Sequence, residues 1–203
     1  MRSIKIILTT ALSMWMMQSF AQKPLESLRE MFADSAVSIV CDYSTEVQNT
    51  KVVGHSEIIV QDGMYSMRGN GLEIYCDGKT MWTIDDSAKE VVIEPCDASE
   101  RNYTANPVLI LTDVDKLFKV RGSRDMGAGN VSYSLDAVAE CGVAEADLVL
   151  SGNGAVTKAD FVLDDGSVLK VQVSSMKKTE EKQAFFFSPD RRFGSDWIIT
   201  DLR

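Results

Sequence analysis

The chain has 203 residues, of which 45% are hydrophobic and 25% are charged, and its formal net charge is -9. An acidic chain without a stripe of lysine and arginine is not expected to bind nucleic acid, because phosphate contacts draw on clustered positive charge. The length without a leader suits one domain with a substantial hydrophobic core.

The first 21 residues have the pattern of a cleaved secretory signal peptide. Arg2 and Lys5 give a positive start, an apolar stretch follows, and Ser19-Phe20-Ala21 resembles a cleavage site. We therefore predict cleavage after Ala21 and a soluble, exported domain over residues 22–203. Loss of the two basic residues moves the net charge from -9 to about -11. No later stretch approaches the roughly 18 apolar residues of a membrane-spanning helix.

The exported domain is predicted to begin with a helix and to continue as an antiparallel sheet. Over Pro24–Ser35, apolar residues recur at helical spacing on one face. From Val37 onward, apolar and polar residues alternate, and Asp-Gly or Asn-Gly pairs separate the segments, as in a β-meander. In chain order, the predicted strands are Val37–Thr45, His55–Gln61, Met64–Arg68, Leu72–Cys76, Lys79–Asp85, Glu90–Pro95, Val131–Leu135, Asp147–Leu150, Val156–Leu163, Val168–Ser174, Ala184–Phe187 and Trp197–Thr200.

A second helical segment is predicted to start at Asn106-Pro107. An apolar stripe runs from Val108 to Phe118, with polar positions at Asp113, Asp115 and Lys116. No linker, repeat or low-complexity tract divides the chain. The sequence therefore predicts one β-rich domain with two or three helices.

The stretch Tyr75-Cys76-Asp77-Gly78-Lys79-Thr80-Met81-Trp82 combines a thiol, a carboxylate and an amine, a set of groups that also occurs in active sites. It is better explained as a hairpin, because Asp-Gly between two β-type segments is typical of a type I′ turn. That turn requires positive φ at Asp77 and at Gly78, which aspartate tolerates and glycine adopts freely.

No segment of the sequence predicts catalysis, a metal site or a cofactor. The single histidine, His55, has no motif that places it beside a nucleophile. Ser175-Met176-Lys177-Lys178 matches S-x-x-K, but it follows a strand and lacks companion motifs. Acidic pairs such as Asp85-Asp86 and Asp164-Asp165 lack the spacing of a calcium loop. A pair of catalytic carboxylates stays an alternative, because their separation depends on the tertiary structure.

The four cysteines, Cys41, Cys76, Cys96 and Cys141, leave two interpretations open. Their spacing is irregular and contains no CxxC pair, which argues against a zinc ribbon or a thioredoxin-like site. They would be buried hydrophobic residues or, in an oxidising compartment, would include at least one disulfide bond.

The remaining signal is an abundance of apolar residues. The chain has ten methionines, six of them after the predicted leader, and it contains the run Phe185-Phe186-Phe187. A sheet of about ten strands with one apolar face must curl, and two short helices would cover only part of that face. Core packing accounts for most of these residues, but a half-barrel plugged by helices can also hold an apolar ligand.

Three segments resemble the LolA family, the periplasmic carriers of outer-membrane lipoproteins. Cys76–Trp82 is similar to the family's S-D-G-K-T-L-W segment, Asn106–Leu111 to its T-P-(F/A)-x-L-(I/L) helix start, and Phe185–Pro189 to its F-x-F-x-P segment. Their order and approximate spacing match across nearly the whole exported domain. The sister family LolB shares the fold but is itself acylated, and Gln22 offers no cysteine for acylation.

The resemblance implies an incomplete, strongly curved antiparallel β-barrel with helices as a lid over an apolar cavity. It also implies a periplasmic chaperone that carries acylated lipoproteins or lipids from an inner-membrane release complex to an outer-membrane acceptor. Such a carrier in protein transport and outer-membrane biogenesis can work as a monomer, without a cofactor. The chain departs from the family's K-R-P-x-x-F-x-W segment, where Val60–Met67 has no arginine, proline or tryptophan. The arginine that contacts the lid in the family is therefore not assigned here.

The predicted cavity combines strand residues with residues of the second helical segment. Its members are Ile39, Ile58, Val60, Ile74, Trp82, Ile84, Leu109, Leu111, Phe161, Phe185 and Phe187. A register error of one residue would move a whole strand's set to the other face. The alternatives are an exported, non-catalytic interaction module with an apolar protein-binding surface and a hydrolase in which His55 and a carboxylate converge.

Overall fold

The computed structural model describes residues 23–33, 35–47, 50–103 and 106–203. The predicted signal peptide and its cleavage site lie outside these residues.

Helices within the described residues are few and short. Helix α1 covers residues 23–32, so it begins one residue before the predicted Pro24–Ser35 segment and ends within it. The second helical segment is two single turns, α2 (Leu109–Thr112) and α3 (Val114–Leu117). They are separate because Asp113 leaves helical geometry, with φ -115° and ψ 15°. Short 3₁₀ helices occur at Ala98–Glu100 and Ala184–Phe187.

The described strands form one open, strongly curved sheet of twelve strands in the order β12-β6-β5-β4-β3-β2-β1-β11-β10-β9-β8-β7. All neighbours pair antiparallel except β12, which pairs parallel with β6. This half-barrel with helices confirms the predicted mainly-β fold class. The strands are β1 Ala36–Val47, β2 Thr50–Gln61, β3 Met64–Gly69, β4 Leu72–Cys76, β5 Thr80–Asp85, β6 Glu90–Pro95, β7 Phe118–Gly127, β8 Asn130–Ala137, β9 Val143–Leu150, β10 Val156–Leu163, β11 Val168–Thr179 and β12 Ile198–Asp201.

Two predictions of local structure were wrong. Phe118 was placed on a helix, but it begins β7, which the sequence analysis missed. That strand lies at the sheet edge and is exposed along most of its length, so it has no apolar alternation to detect. Ala184–Phe187 was expected as a strand but forms a 3₁₀ turn, in which the Phe186 N–H donates to the Gln183 carbonyl at 2.9 Å.

The positions of the Asn70-Gly71 and Asp77-Gly78 turns were predicted correctly, but the turn type was correct only for Asn70-Gly71. Asn70 and Gly71 both have positive φ, at 52° and 82°, as a type I′ turn requires. In the Asp77-Gly78 turn only Gly78 does, at 86°. There the Asp77 carboxylate accepts the backbone N–H groups of Lys79 and Thr80 at 2.9 and 2.8 Å. This side-chain cap replaces the second positive φ.

Cross-strand partners lie on the same face of a sheet, so the strand registers define two faces. The face that packs against α1, α2 and α3 is called the inner face, and the opposite face is called the outer face. All four cysteines are buried, and Cys41, Cys76, Cys96 and Cys141 belong to the core on the inner face.

Candidate functional site

The inner face carries a continuous apolar cluster, here called the inner-face cluster. It extends from β3 and β4 through β1 and β2 to β8–β11. The predicted cavity residues that belong to it are Ile39, Ile58, Val60, Ile74, Leu111 and Phe161. Strand register explains the grouping, since Ile39 pairs with Ile58 and Val37 with Val60, each pair on one face.

Helices α1, α2 and α3 close this cluster on its open side and are called the helical cover. From α1, Leu25, Leu28 and Phe32 enter the cluster and are at most 3% exposed. From α3, Val114 and Leu117 are buried in the same cluster. The inner face of this structure is therefore filled by side chains of the chain itself.

Polar contacts hold the helical cover at its rim. The Arg29 guanidinium of α1 pairs with the Asp115 carboxylate of α3 at 3.1 Å. Between α2 and α3, the buried Asp113 carboxylate pairs with Arg101 at 3.0 Å and with Lys116 at 2.6 Å. The Asp113 carboxylate also accepts the hydroxyl of Tyr103 at 3.2 Å. Burial, and then the Asp113 charge, raise the pKa of Tyr103, so its hydroxyl stays a donor.

The sequence analysis did not identify this rim. Asp113 was recognised only as a polar position within an apolar stripe. Its partners Arg101 and Tyr103 lie beyond the Asn106-Pro107 break, so no local spacing joins them to it. The pairing of the buried Asp113 carboxylate with the half-exposed Arg101 arises only when the loop and the helix fold together.

Trp82 and Ile84 lie on the outer face, apart from the inner-face cluster. Trp82 pairs with Tyr75 and Ile93, and these residues pack with Ile84, Val91, Phe193 and Trp197 in an outer-face cluster. Their prediction as neighbours of Ile74 was a register error of one residue, since Ile74 is opposite Thr83.

The C-terminal segment, residues 180–201, runs along the outer face and explains this second cluster. Gln61 fixes its start by exchanging two hydrogen bonds with the Lys182 backbone, at 3.2 and 2.7 Å. Arg191 then pairs with Asp86 at 2.8 Å and with Glu73 at 3.3 Å. Its guanidinium lies 5.5 Å from the ring centroid of Trp197. The segment ends as strand β12 beside β6.

The other predicted cavity residues are dispersed. Leu109 and Phe187 are buried, at 1% and 0% exposure, but belong to neither cluster. Phe185 is 75% exposed. With Phe186 it borders an outer-face groove of about 330 Å³. The groove is lined mainly by outer-face side chains of β1–β4, such as Ser38, Glu57 and Arg68.

The described side-chain contact of His55 is with an exposed carboxylate. Its Nδ1 is 2.8 Å from the Asp42 carboxylate, and both side chains are more than half exposed. The adjacent pocket of about 600 Å³ is open and mixed in character, with Asp42, Asn70 and Lys170 in its lining. Within the described residues, no group of three or more His, Cys, Asp or Glu side chains could hold a metal ion.

Comparisons with known proteins give the fold alone. No protein-family model matches the chain, and no curated protein matches it. Among solved structures, an uncharacterized conserved protein from Thermus thermophilus is similar at 12% identity and a TM-score of 0.55, with 89% of this chain and 98% of that chain covered. A DUF1329 family protein from Desulfovibrio piger matches at 9% identity and a TM-score of 0.49, with 84% and 97% covered.

A LolA superfamily protein from Nitrosomonas europaea is also matched, at 13% identity and a TM-score of 0.46, with 84% of this chain and 98% of that chain covered. The likeness to the Thermus protein concerns the fold. The resemblance to the LolA family is that of the three sequence segments, and the half-barrel fold that it implied is present. No helix within the described residues reaches the length and hydropathy of a membrane span.

Proposed function

We propose that this protein is an exported, non-catalytic carrier that binds the acyl chains of lipoproteins or other lipids and carries them from the inner to the outer membrane. The observation that carries the proposal is the apolar inner face of an open sheet, covered by short helices instead of a second sheet. The sequence resemblance to LolA supplies the class of cargo. It also supplies the expected partners, which are an inner-membrane release complex and an outer-membrane acceptor.

The helical cover can leave without disturbing the sheet. Helices α2 and α3 have four residues each, far below the roughly 12 residues at which an isolated helix becomes even marginally stable. Their position therefore depends on packing and on the rim ion pairs. Displacing them leaves the strand pairs of the sheet in place and breaks one backbone hydrogen bond at its edge, from the Val138 N–H to the Leu117 carbonyl at 2.8 Å. The cover is thus the part of the fold best suited to open and close.

Energetics favour exchange between the cover and a lipid chain. Burial of an acyl chain contributes roughly 0.8 kcal/mol per methylene. When an acyl chain replaces Leu28 or Phe32 on the inner face, apolar surface replaces apolar surface. The net change is then small compared with the gross burial. A carrier needs this near balance, because it must accept cargo at one membrane and release it at the other.

The inner-face residues Ile39, Ile58, Val60, Ile74 and Phe161 form the proposed contact surface for acyl chains, and Leu111 belongs to the part that moves. Trp82, Ile84 and Phe185 are left out of this surface, because they lie on the outer face or are exposed beside it. The carrier is proposed to act as a monomer that encloses one cargo at a time.

The test is native mass spectrometry with lipid extraction on the protein purified gently from the cell envelope. Wild type should carry acyl lipid or acylated protein. Phe161→Glu should lose it, because a carboxylate would be placed on the inner face. Phe185→Glu is the matched control: it adds the same charge at an exposed site and should keep the cargo. Equal retention by both folded variants, or a wild type that refuses added lipopeptide, would overturn the proposal.

Tryptophan fluorescence provides a second readout. Trp82 and Trp197 both lie in the outer-face cluster, so their emission should ignore added lipopeptide. A Phe161→Trp variant should respond with a blue shift as the acyl chain covers the indole. A response from the wild-type tryptophans alone would place the cargo on the outer face.

The second candidate is an exported interaction module. Its supporting observation is the exposure of Phe185 beside the outer-face groove, since a large exposed aromatic side chain next to a groove is typical of protein-binding surfaces. This candidate predicts the reverse pattern in cells: Phe185→Glu would abolish function, while Phe161→Glu would act only through stability.

A further inference from the structure

Two of the four thiols meet at the end of strand β4. The Sγ atoms of Cys76 and Cys96 are 2.9 Å apart. This is closer than the roughly 3.5–4.0 Å at which non-bonded carbon atoms lie, and sulfur is a larger atom than carbon. Cys76 is 0% exposed and Cys96 is 1% exposed.

The backbone holds the two cysteines in place. Cys76 is the last residue of β4, and the turn at residues 77–79 leads into β5. The ladder between β5 and β6 ends with the pair Thr80 and Pro95. One residue further, the Cys96 N–H donates to the Lys79 carbonyl at 2.8 Å. Cys76 is therefore held by the strand ladders of β4, and Cys96 is held by its hydrogen bond to the turn that joins β4 to β5.

Asn106 is a polar neighbour of the two thiols within the inner-face cluster. Asn106 donates to the Gly63 carbonyl at 2.7 Å and lies 3.7 Å from the Cys76 Sγ. The hydrogen bond between the two thiols lowers the pKa of Cys96, while the same bond and burial raise the pKa of Cys76. In the folded chain the proton is therefore lost more readily from Cys96 than from Cys76.

We infer that Cys76 and Cys96 are a modification site, at which exchange with a disulfide-carrying oxidant forms an intramolecular disulfide bond. The thiolate of one of the two cysteines attacks one sulfur of the oxidant, whose other sulfur leaves as a thiolate. The sulfur of the other cysteine, after losing its proton, then attacks the first cysteine's sulfur in the mixed disulfide and releases the oxidant's second sulfur as a thiol. Two electrons and two protons leave the chain, and the oxidant is reduced to the dithiol level.

Access limits when this reaction can occur. In the folded chain both sulfurs are covered, so an oxidant reaches them only while the region from β4 to β6 is open. The bond should therefore form during folding and then resist reduction. It would close a loop with a sequence separation of 20 residues, which restricts the unfolded chain.

This inference uses the export assumed in the proposed function but not the binding of lipid. The decisive experiment is performed on the purified full chain, reduced and then incubated with oxidised glutathione in mild urea. The protein is next denatured in an alkylating reagent and digested without reductant. A peptide pair joining Cys76 to Cys96, with two alkylated thiols remaining, is expected. Four alkylated thiols, glutathione adducts alone, or a bond involving Cys41 or Cys141 would overturn the inference.

Variants and a cellular sample sharpen the result. In the oxidised wild type, a reductant should lower the unfolding midpoint, because it breaks the bond. Cys76→Ser should abolish both the linked peptide and this effect of the reductant. Cys41→Ser, which replaces another buried cysteine, should keep both. The same peptide analysis is then made on protein recovered from the cell envelope. A bond that forms in vitro and is absent there supports the pairing but contradicts export to an oxidising compartment. Loss of lipid binding in an otherwise disulfide-bonded protein would contradict only the carrier proposal.

Discussion

Replacement of Leu28 by alanine would weaken the hold of α1 on the inner-face cluster. Leu28 is 1% exposed and lies between Leu25 and Phe32 on the buried side of the helix. A buried leucine truncated to alanine typically costs 2–5 kcal/mol, from lost burial and from the cavity that remains. We therefore expect the free energy of unfolding to fall by about 3 kcal/mol.

The same change should strengthen lipid binding if the helical cover competes with the cargo. The apparent affinity of a protein that must open first is reduced by the fraction that is open. Each 1.4 kcal/mol taken from the closed state raises that fraction about tenfold, so about 3 kcal/mol corresponds to a gain of up to roughly a hundredfold. Urea unfolding gives the first quantity, and titration with a fluorescent lipopeptide gives the second.

Ile84→Ala is the matched control for this prediction. Ile84 is 0% exposed, but it belongs to the outer-face cluster, beneath the C-terminal segment. Its truncation should lower stability by a similar amount and leave lipopeptide affinity unchanged. If Leu28→Ala destabilises the protein and binds no more tightly than Ile84→Ala, then α1 does not occupy the binding surface, and the competition argument fails.

Two further predictions concern the sheet itself. In Gly54→Ala the new methyl group would lie 2.4 Å from the ring of Tyr43, so urea unfolding should show a loss of about 1–3 kcal/mol, whereas Gly122→Ala, with open space around it, should leave stability nearly unchanged. At Asp85, hydrogen bonds led by the Ser87 hydroxyl lower the pKa below its ordinary 3.8. The ionised Asp85 carboxylate therefore stabilises the fold above its unfolded-state pKa, and this stabilisation is lost as pH falls through the lower folded-state pKa. Below about pH 4, the unfolding midpoint of Asp85→Asn should fall less steeply with pH than that of wild type. Parallel curves for the two proteins would refute this prediction.

The strands best predicted from the sequence are those whose information is local. Leu72–Cys76, Glu90–Pro95 and Val156–Leu163 have the bounds that alternation and flanking turn residues indicated. Strand β7 was missed because an exposed edge strand needs no apolar side chains, and its polar residues resemble those of a loop. The bounds of α1 were also close, since its apolar stripe is a local pattern that packing did not have to create.

The candidate site was only partly predictable for a related reason. Ile39, Ile58 and Val60 could be grouped, because β1 and β2 bury apolar residues at alternate positions. In β5, Met81 and Trp82 are both apolar, and one packs on each face. The pattern of apolar and polar residues does not show which face of such a strand points inward. Trp82 was therefore predicted on the inner face, whereas it lies on the outer face.

The sequence alone determined the class of the fold, most strand positions and the presence of an apolar surface, because period and turn chemistry act over a few residues. Tertiary structure decided which apolar residues share a face. Residues 180–201 return across the outer face and cover β4–β6 there, so these strands carry apolar residues on both faces. Without a polar face, the sequence does not show which apolar residues point inward. It also decided that Cys76 and Cys96 meet, since only the folded β4–β6 ladder brings together residues separated by 20 positions.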